Sequence, residues 1–362
     1  MSQLLAQAWV NLLELMSVAA STIFGFAILF GALVLFHEFG HFSAAKLAGV
    51  RVFEFALGFG PALAQRKRGD TLYTVRTVPL GGFVKIAGMD SAPEECEDEV
   101  PVKETFEHKP LWQRLAFVTA GPIMNFILAF ILLVTYHMVV TIPPTIQEVE
   151  IGSPAALAGL QPGDQIIKID AQPTPSTEQV VKLVQPKSGV PLSVEVLRGN
   201  DTIHFAVTPR FDQEQRAGML GVTIFDQQRQ PLLTSLRLGA LQTYGWTVSI
   251  FRSVMRMLTG KRKAELSGPV GIFMVTGSAI QEGLGSLLRL AILLNINLGL
   301  FNLFPIPLLD GFWIFLLLFE SLRGKPLRPE QRGMAQFVGF ALLLLLLVYA
   351  TYQDLARFFL GT

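Results

Sequence analysis

Residues 33–41 read LVLFHEFGH and lie inside a long apolar run that extends from about residue 15 to residue 47. On a helix, His37 and His41 leave the same face, because residues four apart are neighbours on the helix surface. Two neutral imidazoles at this spacing can bind one metal ion, and Zn²⁺ is the ion that such sites usually hold. Three ionisable side chains at membrane depth would be costly without a use, so the stretch predicts a metal site inside a membrane helix.

Glu38 follows His37 by one residue and is therefore rotated by about 100° around the helix axis. It can stand beside the metal without being a ligand, where it can take a proton from a metal-bound water. A carboxylate is a sufficient base for that proton because zinc makes the water acidic. We therefore predict a zinc centre with His37 and His41 as ligands and Glu38 as the general base.

A third ligand is predicted far along the chain, where residues 302–311 read NLFPIPLLDG. Pro305 and Pro307 must interrupt a helix here and free backbone groups that cannot face lipid. Such a break is tolerated at membrane depth where it lines a site or a cavity. Asp310 needs a partner in that setting and the two histidines need a third ligand, so we predict that Asp310 binds the same zinc ion.

The composition is that of an integral membrane protein: 51% of the 362 residues are hydrophobic, 16% are charged, and the mean hydropathy is +0.46. The net charge of +1 gives no argument for a nucleic-acid partner. Cys96 is the only cysteine, so neither a disulfide framework nor a cysteine zinc site is available. The environment that these numbers favour is the lipid bilayer.

Four apolar segments predict a polytopic α-helical membrane protein with about four transmembrane helices, one of them broken, at about residues 15–47, 115–141, 287–322 and 337–352. In the second of them, the small residues of Ala120-Gly121-Pro122 allow another helix to approach closely, and Asn125 can hydrogen-bond across to it. The basic residues lie in the first and last connecting loops, which predicts that both loops are cytoplasmic and that both termini are outside.

The loop between the first two spans contains aromatic and β-branched residues punctuated by Gly and Pro, from Phe53 to Met89. This pattern predicts short strands and turns, and hence a membrane-associated β-hairpin loop. The run Gly81-Gly82-Phe83 is a candidate substrate-binding segment, because a hairpin beside the site could pair with an unwound peptide by strand addition. A cytoplasmic β-rich loop without that role is the alternative interpretation.

Residues 143–210 have the composition of a soluble domain inserted into the membrane protein. Strands are predicted at 146–149, 190–197 and 202–208, and a helix at 177–184. The pattern resembles a PDZ domain, most specifically in the run from Ala158 to Asp170. Domains of this type accept an extended peptide end at a sheet edge, whereas a steric filter over the membrane site is an equally open interpretation.

The remaining segments complete the predicted organisation. Residues 232–259 mix apolar side chains with arginines and Trp246, which favours an amphipathic helix in the headgroup region. Residues 267–272 read SGPVGI and predict a turn. The predicted domains are an N-terminal membrane domain, a PDZ domain, a connecting tail with the interfacial helix, and a C-terminal membrane domain, at residues 1–142, 143–210, 211–286 and 287–362.

These motifs together resemble the site-2 family of intramembrane zinc metalloproteases, of the bacterial regulator-of-sigma-E protease type. The resemblance is carried by His37-Glu38-Phe39-Gly40-His41, Ala120-Gly121-Pro122 with Asn125, one PDZ-like domain, Gly268-Pro269-Val270-Gly271, and the run from Asn302 to Gly311. It covers nearly the whole chain. The best-known enterobacterial members carry two PDZ domains in tandem, whereas this sequence has one.

The resemblance implies zinc bound by His37, His41 and Asp310, with Glu38 as general base. It also implies that the loop at 53–86 re-enters the membrane and that Asn302 helps to hold the substrate backbone. Local unwinding of the substrate and access of water are then expected to involve the Gly/Pro-rich loop and the break at Pro305 and Pro307. The implied reaction is regulated intramembrane proteolysis.

The implied partners are single-span membrane proteins, such as trimmed anti-sigma factors or remnant signal peptides, and possible peptide ends at the PDZ domain. The implied location is the bacterial inner membrane, with the termini and the PDZ domain on the periplasmic side. Two other functions stay open at this point. A transporter also has broken helices with polar residues at the midplane, and a catalytically silent scaffold would act through the PDZ-like fold alone.

Overall fold

The computed structural model describes residues 2–89, 100–199, 201–213, 216–261, 268–325 and 327–360. Cys96 lies outside these ranges. The chain divides into two compact units. The first, here called the membrane unit, contains Met1–Leu133 and Gly239–Thr362, and the second, the β-rich insert, contains Val134–Leu238.

The secondary-structure elements follow the predicted alternation of apolar helices with two β-rich regions. In chain order they are α1 (Ser2–Leu47), β1 (Val52–Arg68), β2 (Thr71–Ile86), α2 (Leu111–Val139), β3 (Ile142–Val149), α3 (Pro154–Ala158), β4 (Gln165–Ile169), β5 (Gln172–Pro173), α4 (Thr177–Val184), β6 (Leu192–Arg198), β7 (Asp201–Val207), β8 (Arg210–Asp212), β9 (Ala217–Met219), β10 (Val222–Gln227), α5 (Leu232–Leu258), α6 (Pro269–Glu282), α7 (Leu284–Asn302), α8 (Asp310–Arg323) and α9 (Pro329–Leu360). Short 3₁₀ turns lie at Val102–Glu104, Phe106–His108 and Gln185–Lys187.

Four of the described helices are long and apolar enough to cross a bilayer, which confirms the predicted number of spans. They are Met16–Leu47, Leu111–Val139, Leu284–Asn302 and Glu330–Phe358. The predicted break is also present, since α7 ends at Asn302 and α8 begins only at Asp310. The prolines between them explain this break, because proline lacks the N–H that continues a helix.

The β-hairpin predicted between the first two spans is present, with β1 and β2 paired antiparallel. Its register is doubled: residues 54–57 pair with residues 82–85 and also with residues 72–75. The hairpin therefore folds over itself into a small sheet, and β2 packs against α1. Val52 and Ile86 are fully buried at its base, and each such aliphatic side chain contributes about 1.5–3 kcal/mol when it is fully buried.

The β-rich insert is built on a sheet with the strand order β10-β3-β4-β6-β7, and β5 pairs with β4. Both predicted regions around β6 and β7 are strands, and α4 spans the predicted helix at 177–184. The final strand β10 pairs with β3, so the sheet takes in residues downstream of the predicted boundary at 210. The core is aliphatic and includes Ile146, Leu160, Ile166, Ile169, Val180, Leu192, Val194 and Val196.

The turn predicted at residues 267–272 is wrong, because residues 269–272 form the first turn of α6. Pro269 occupies the first helical position, where its missing N–H costs nothing. The carboxylate of Asp354, on α9, accepts hydrogen bonds from the backbone N–H groups of Gly268 (3.0 Å) and Gly271 (2.7 Å). A long-range cap from another helix thus starts α6, and no local pattern could reveal it.

Candidate metal centre

The two histidines of α1 point their Nε2 atoms at the same small volume. These two nitrogens are 3.2 Å apart, and both side chains are buried. The i, i+4 spacing on a continuous helix accounts for this geometry, as the sequence predicted.

Asp310 reaches the same volume from the first turn of α8. Its Oδ2 is 3.1 Å from Nε2 of His37 and its Oδ1 is 3.4 Å from Nε2 of His41. The turn before it is tight: Leu308 has a φ of +81°, and a Cβ at position 311 would lie 2.3 Å from the carbonyl oxygen of Leu303. Only glycine permits that approach, which explains why Gly311 follows the aspartate.

The three side chains fit a zinc ion. Tetrahedral ligands at about 2.0–2.1 Å from a metal lie about 3.3 Å from one another, and the donor atoms here are 3.1–3.4 Å apart. The Oδ2 atom of Asp310 is buried without a hydrogen-bond partner among the described residues, although Nε2 of His37 is so near. Lone-pair atoms that converge in this way are arranged to bind a common cation rather than to hydrogen-bond with each other.

A second layer of hydrogen bonds fixes the imidazole rings. Nδ1 of His41 lies 2.8 Å from the carbonyl oxygen of Phe117, which can only accept, so Nδ1 carries the proton and Nε2 is free to bind a metal. On His37, Nδ1 lies 3.0 Å from the side-chain amide of Asn125. Rotating that amide by 180° turns its otherwise unpartnered Oδ1 to the ring and frees Nε2 of His37 in the same way.

The backbone of α2 approaches the rings so closely that only glycine fits. A Cβ at position 121 would lie 2.2 Å from Nε2 of His41 and 2.8 Å from Cε1 of His37. On the same side, a Cβ at Gly40 would lie 2.3 Å from the carbonyl oxygen of Ala120. The predicted close approach of helices at Ala120-Gly121 and the predicted cross-helix bond of Asn125 are therefore both present.

Glu38 follows His37 on α1 and lies against the hairpin. Its side chain is half-buried, and a Cβ at Gly82 would lie 2.9 Å from its Cγ. Gly81 has a φ of +144°, and a Cβ there would lie 2.0 Å from the ring of Phe59. The ring of Phe59 in turn stacks on Phe83 at a centroid distance of 6.4 Å. The structure thus brings the predicted segment Gly81-Gly82-Phe83 to the predicted base.

The remaining predicted residues lie at the break between α7 and α8. Asn302 is the last residue of α7 and is half-buried, whereas Pro305 is exposed within the turn that leads to Asp310. The sequence reasoning missed the carbonyl of Phe117 and did not connect Gly121 or Asn125 with the histidines. Only the polar character of Asn125 inside an apolar span was a usable signal for this second layer.

A helix of membrane-spanning character that carries two histidines and an adjacent glutamate, with an aspartate brought to the histidines by a following broken helix, defines the class of intramembrane metalloproteases. The pattern of the family described as Peptidase family M50 matches residues 25–346. The chain belongs to this family, and it is an intramembrane zinc metalloprotease of the site-2 type.

Two of the relatives illustrate a match over nearly the whole length of both chains. The regulator of sigma-W protease RasP of Bacillus subtilis is 32% identical, with 94% of this chain and 99% of the relative covered. The zinc metalloprotease RasP of Geobacillus kaustophilus has the same identity and the same coverage. Among solved structures, the PDZ domain of the SdrC-like protein of Listeria monocytogenes is 21% identical, covering 23% of this chain and 86% of that one with a TM-score of 0.21.

Proposed function

We propose that His37, His41 and Asp310 hold the catalytic zinc ion and that Glu38 is the general base. The observation that carries this proposal is the convergence of three candidate ligand atoms, 3.1–3.4 Å apart, on a helix that carries Glu38 next to His37. Zinc held there supplies Lewis-acid chemistry, which polarises a peptide carbonyl and acidifies water.

The residues around the candidate metal centre have separate roles in the proposed hydrolysis. Glu38 takes the proton of the attacking water and then delivers it to the nitrogen of the leaving amine. His41 Nδ1–H donates to the Phe117 carbonyl. With the Asn125 amide turned so that its Oδ1 faces the ring, His37 Nδ1–H donates to Asn125, so that Nε2 of both rings stays available to the metal. The close backbone at Gly121 limits how far the rings can turn.

The substrate segment is proposed to unwind and add as a strand to residues 82–85. These residues pair on one side with residues 54–57, and no other strand of the described chain pairs with them. Because a Cβ at Gly82 would lie only 2.9 Å from Cγ of Glu38, a peptide on this edge would pass next to the proposed base. Asn302 and Pro305 are proposed to contact the same peptide from the break between α7 and α8.

The proposed substrates are transmembrane segments of single-span membrane proteins, such as trimmed anti-sigma factors or remnant signal peptides. The name of the Bacillus subtilis relative, a regulator of sigma-W protease, supports substrates of the first kind. The proposed location is the bacterial inner membrane. Basic residues in the first and last loops support cytoplasmic loops, with both termini and the insert on the periplasmic side, where the insert would receive peptide ends.

The test is cleavage of a purified single-span reporter by the full chain in detergent with zinc. The matched variants are Glu38→Gln and Glu148→Gln, because Glu148 is an exposed carboxylate of the insert. We expect wild type and Glu148→Gln to cleave alike, while Glu38→Gln keeps its zinc and cleaves at least about 100-fold more slowly. Cleavage by Glu38→Gln at the wild-type rate would contradict the assignment of Glu38 as the base. Wild-type protein that binds no zinc would contradict the assignment of His37, His41 and Asp310 as ligands.

A further inference from the structure

A cavity of about 590 Å³ lies in the membrane unit, apart from the metal centre. Its walls come from α5, α6, α7 and α9, whereas the metal centre is built on α1, α2 and α8. The lining is mostly apolar and partly open to the surroundings, with the exposed side chains of Met274, Val275 and Leu293 among the contributors. This volume is in the range of sites that hold whole small ligands.

The rim of the cavity carries a positively charged side chain, Arg289, within an otherwise uncharged apolar helix. Arg289 is the only charged residue of α7, and it lies five residues, or about 7.5 Å, into a helix of membrane-spanning character. Its guanidinium donates to Ser286 Oγ at 3.1 Å and has no carboxylate partner among the described residues. A charged side chain at this depth needs a counter-charge, and its length allows it to reach the headgroup level.

An anionic group lies on the same rim. Glu282 is the last residue of α6, and the corner at Gly283 separates it from α7. Its exposed carboxylate and the Arg289 guanidinium line one cavity, but neither forms an ion pair with any residue that the structure describes. The rim thus offers one positive and one negative group above an apolar recess.

We propose that this cavity is a binding site for a phospholipid whose headgroup carries a protonated amine, as in phosphatidylethanolamine. The phosphate binds Arg289 and Ser286, because guanidinium and hydroxyl groups donate to phosphate oxygens. The ammonium group donates to the Glu282 carboxylate, and an acyl chain fills the recess beside Met274 and Val275. Charge complementarity at both ends of the headgroup selects this lipid over an anionic one.

The test is native mass spectrometry of the full chain, titrated in detergent with phosphatidylethanolamine, phosphatidylcholine or phosphatidylglycerol of identical acyl chains. We expect phosphatidylethanolamine to bind wild type about tenfold more tightly than the other two lipids, the size of one charge-assisted hydrogen bond. Glu282→Gln should abolish this preference, and Arg289→Gln should raise the dissociation constant of all three lipids about tenfold. Val275→Trp should weaken the binding of all three lipids, because the larger side chain fills the recess. Arg252→Gln lies outside the cavity and should leave the binding of all three lipids unchanged.

Equal binding of the three lipids to wild type, unchanged by Glu282→Gln and Arg289→Gln, would overturn the proposal. Displacement of the lipid by a synthetic single-span peptide would assign the cavity to a protein helix and would overturn it equally. Neither result depends on proteolysis, so the outcome is independent of the assignment of the metal centre.

Discussion

The close approach of α2 to the histidines leads to a sharp prediction for the substitution Gly121→Ala. The added methyl group would lie 2.2 Å from Nε2 of His41 and 2.8 Å from Cε1 of His37. Ordinary contacts of such atoms are longer by about 1 Å, so both rings, or α2 itself, must shift by roughly that amount. A ligand displacement of about 1 Å is enough to lower catalysis roughly 100-fold.

The same change should leave the protein folded. Alanine favours the helix over glycine by about 1 kcal/mol, which offsets part of an overpacking cost of about 1–3 kcal/mol. The expected phenotype is therefore a folded protein whose zinc dissociation constant is about 10–100-fold higher. Weaker zinc binding in a protein that stays folded would distinguish a local effect on the metal centre from a general loss of structure.

The assay combines zinc titration, reporter cleavage and thermal unfolding of the full chain in detergent. Gly245→Ala is the matched control, because a Cβ at this position of α5 meets no atom within 4 Å. It should keep wild-type zinc affinity and activity. Wild-type zinc affinity and cleavage in Gly121→Ala would falsify the inference that this glycine is required by the rings.

Two further predictions concern carboxylates away from the metal centre. Asp354→Ala leaves the N–H groups of Gly268 and Gly271 without their acceptor, so the free energy of unfolding should fall by about 1–3 kcal/mol, and an unchanged Tm would contradict this. Burial acts to raise the pKa of Asp164, but hydrogen bonds from Arg198 hold it below its ordinary value. This carboxylate therefore stabilises the insert above its unfolded pKa, and the contribution is lost as the pH falls below about 4. Amide protection in the insert, corrected for intrinsic exchange, should show this loss in wild type but not in Arg198→Gln.

The metal centre shows which part of a site can be predicted from sequence. The helical spacing of His37 and His41 places both rings on one face without any tertiary information. Asp310 could be paired with them because a carboxylate beside a proline-broken membrane helix needs a partner. The layer around them could not be predicted, because the Phe117 carbonyl is a backbone group and carries no sequence signal of its own.

In the two β-rich regions, too, some features could be predicted from the sequence and others could not. The strand-like runs of the PDZ-like pattern predicted the strands around 190–208, and aromatic and β-branched residues with Gly and Pro predicted a hairpin after α1. The doubled register of residues 54–57 could not be derived, since it depends on two separate parts of β2, residues 72–75 and 82–85, both returning to the same short segment. The turn expected at 267–272 became a helix because Asp354, more than 80 residues away, satisfies its first N–H groups.

Local chemistry by itself thus determined the apolar spans, the break at the prolines and the placement of His37 and His41 on one helix face, because each depends on interactions within a few residues. Packing between distant helices decided the orientation of the rings, the need for Gly121, the long-range cap of α6 and the cavity beside Arg289. These features depend on distances of a few ångströms between segments that are remote in the chain. Such distances are set only when the apolar surfaces have been buried against one another.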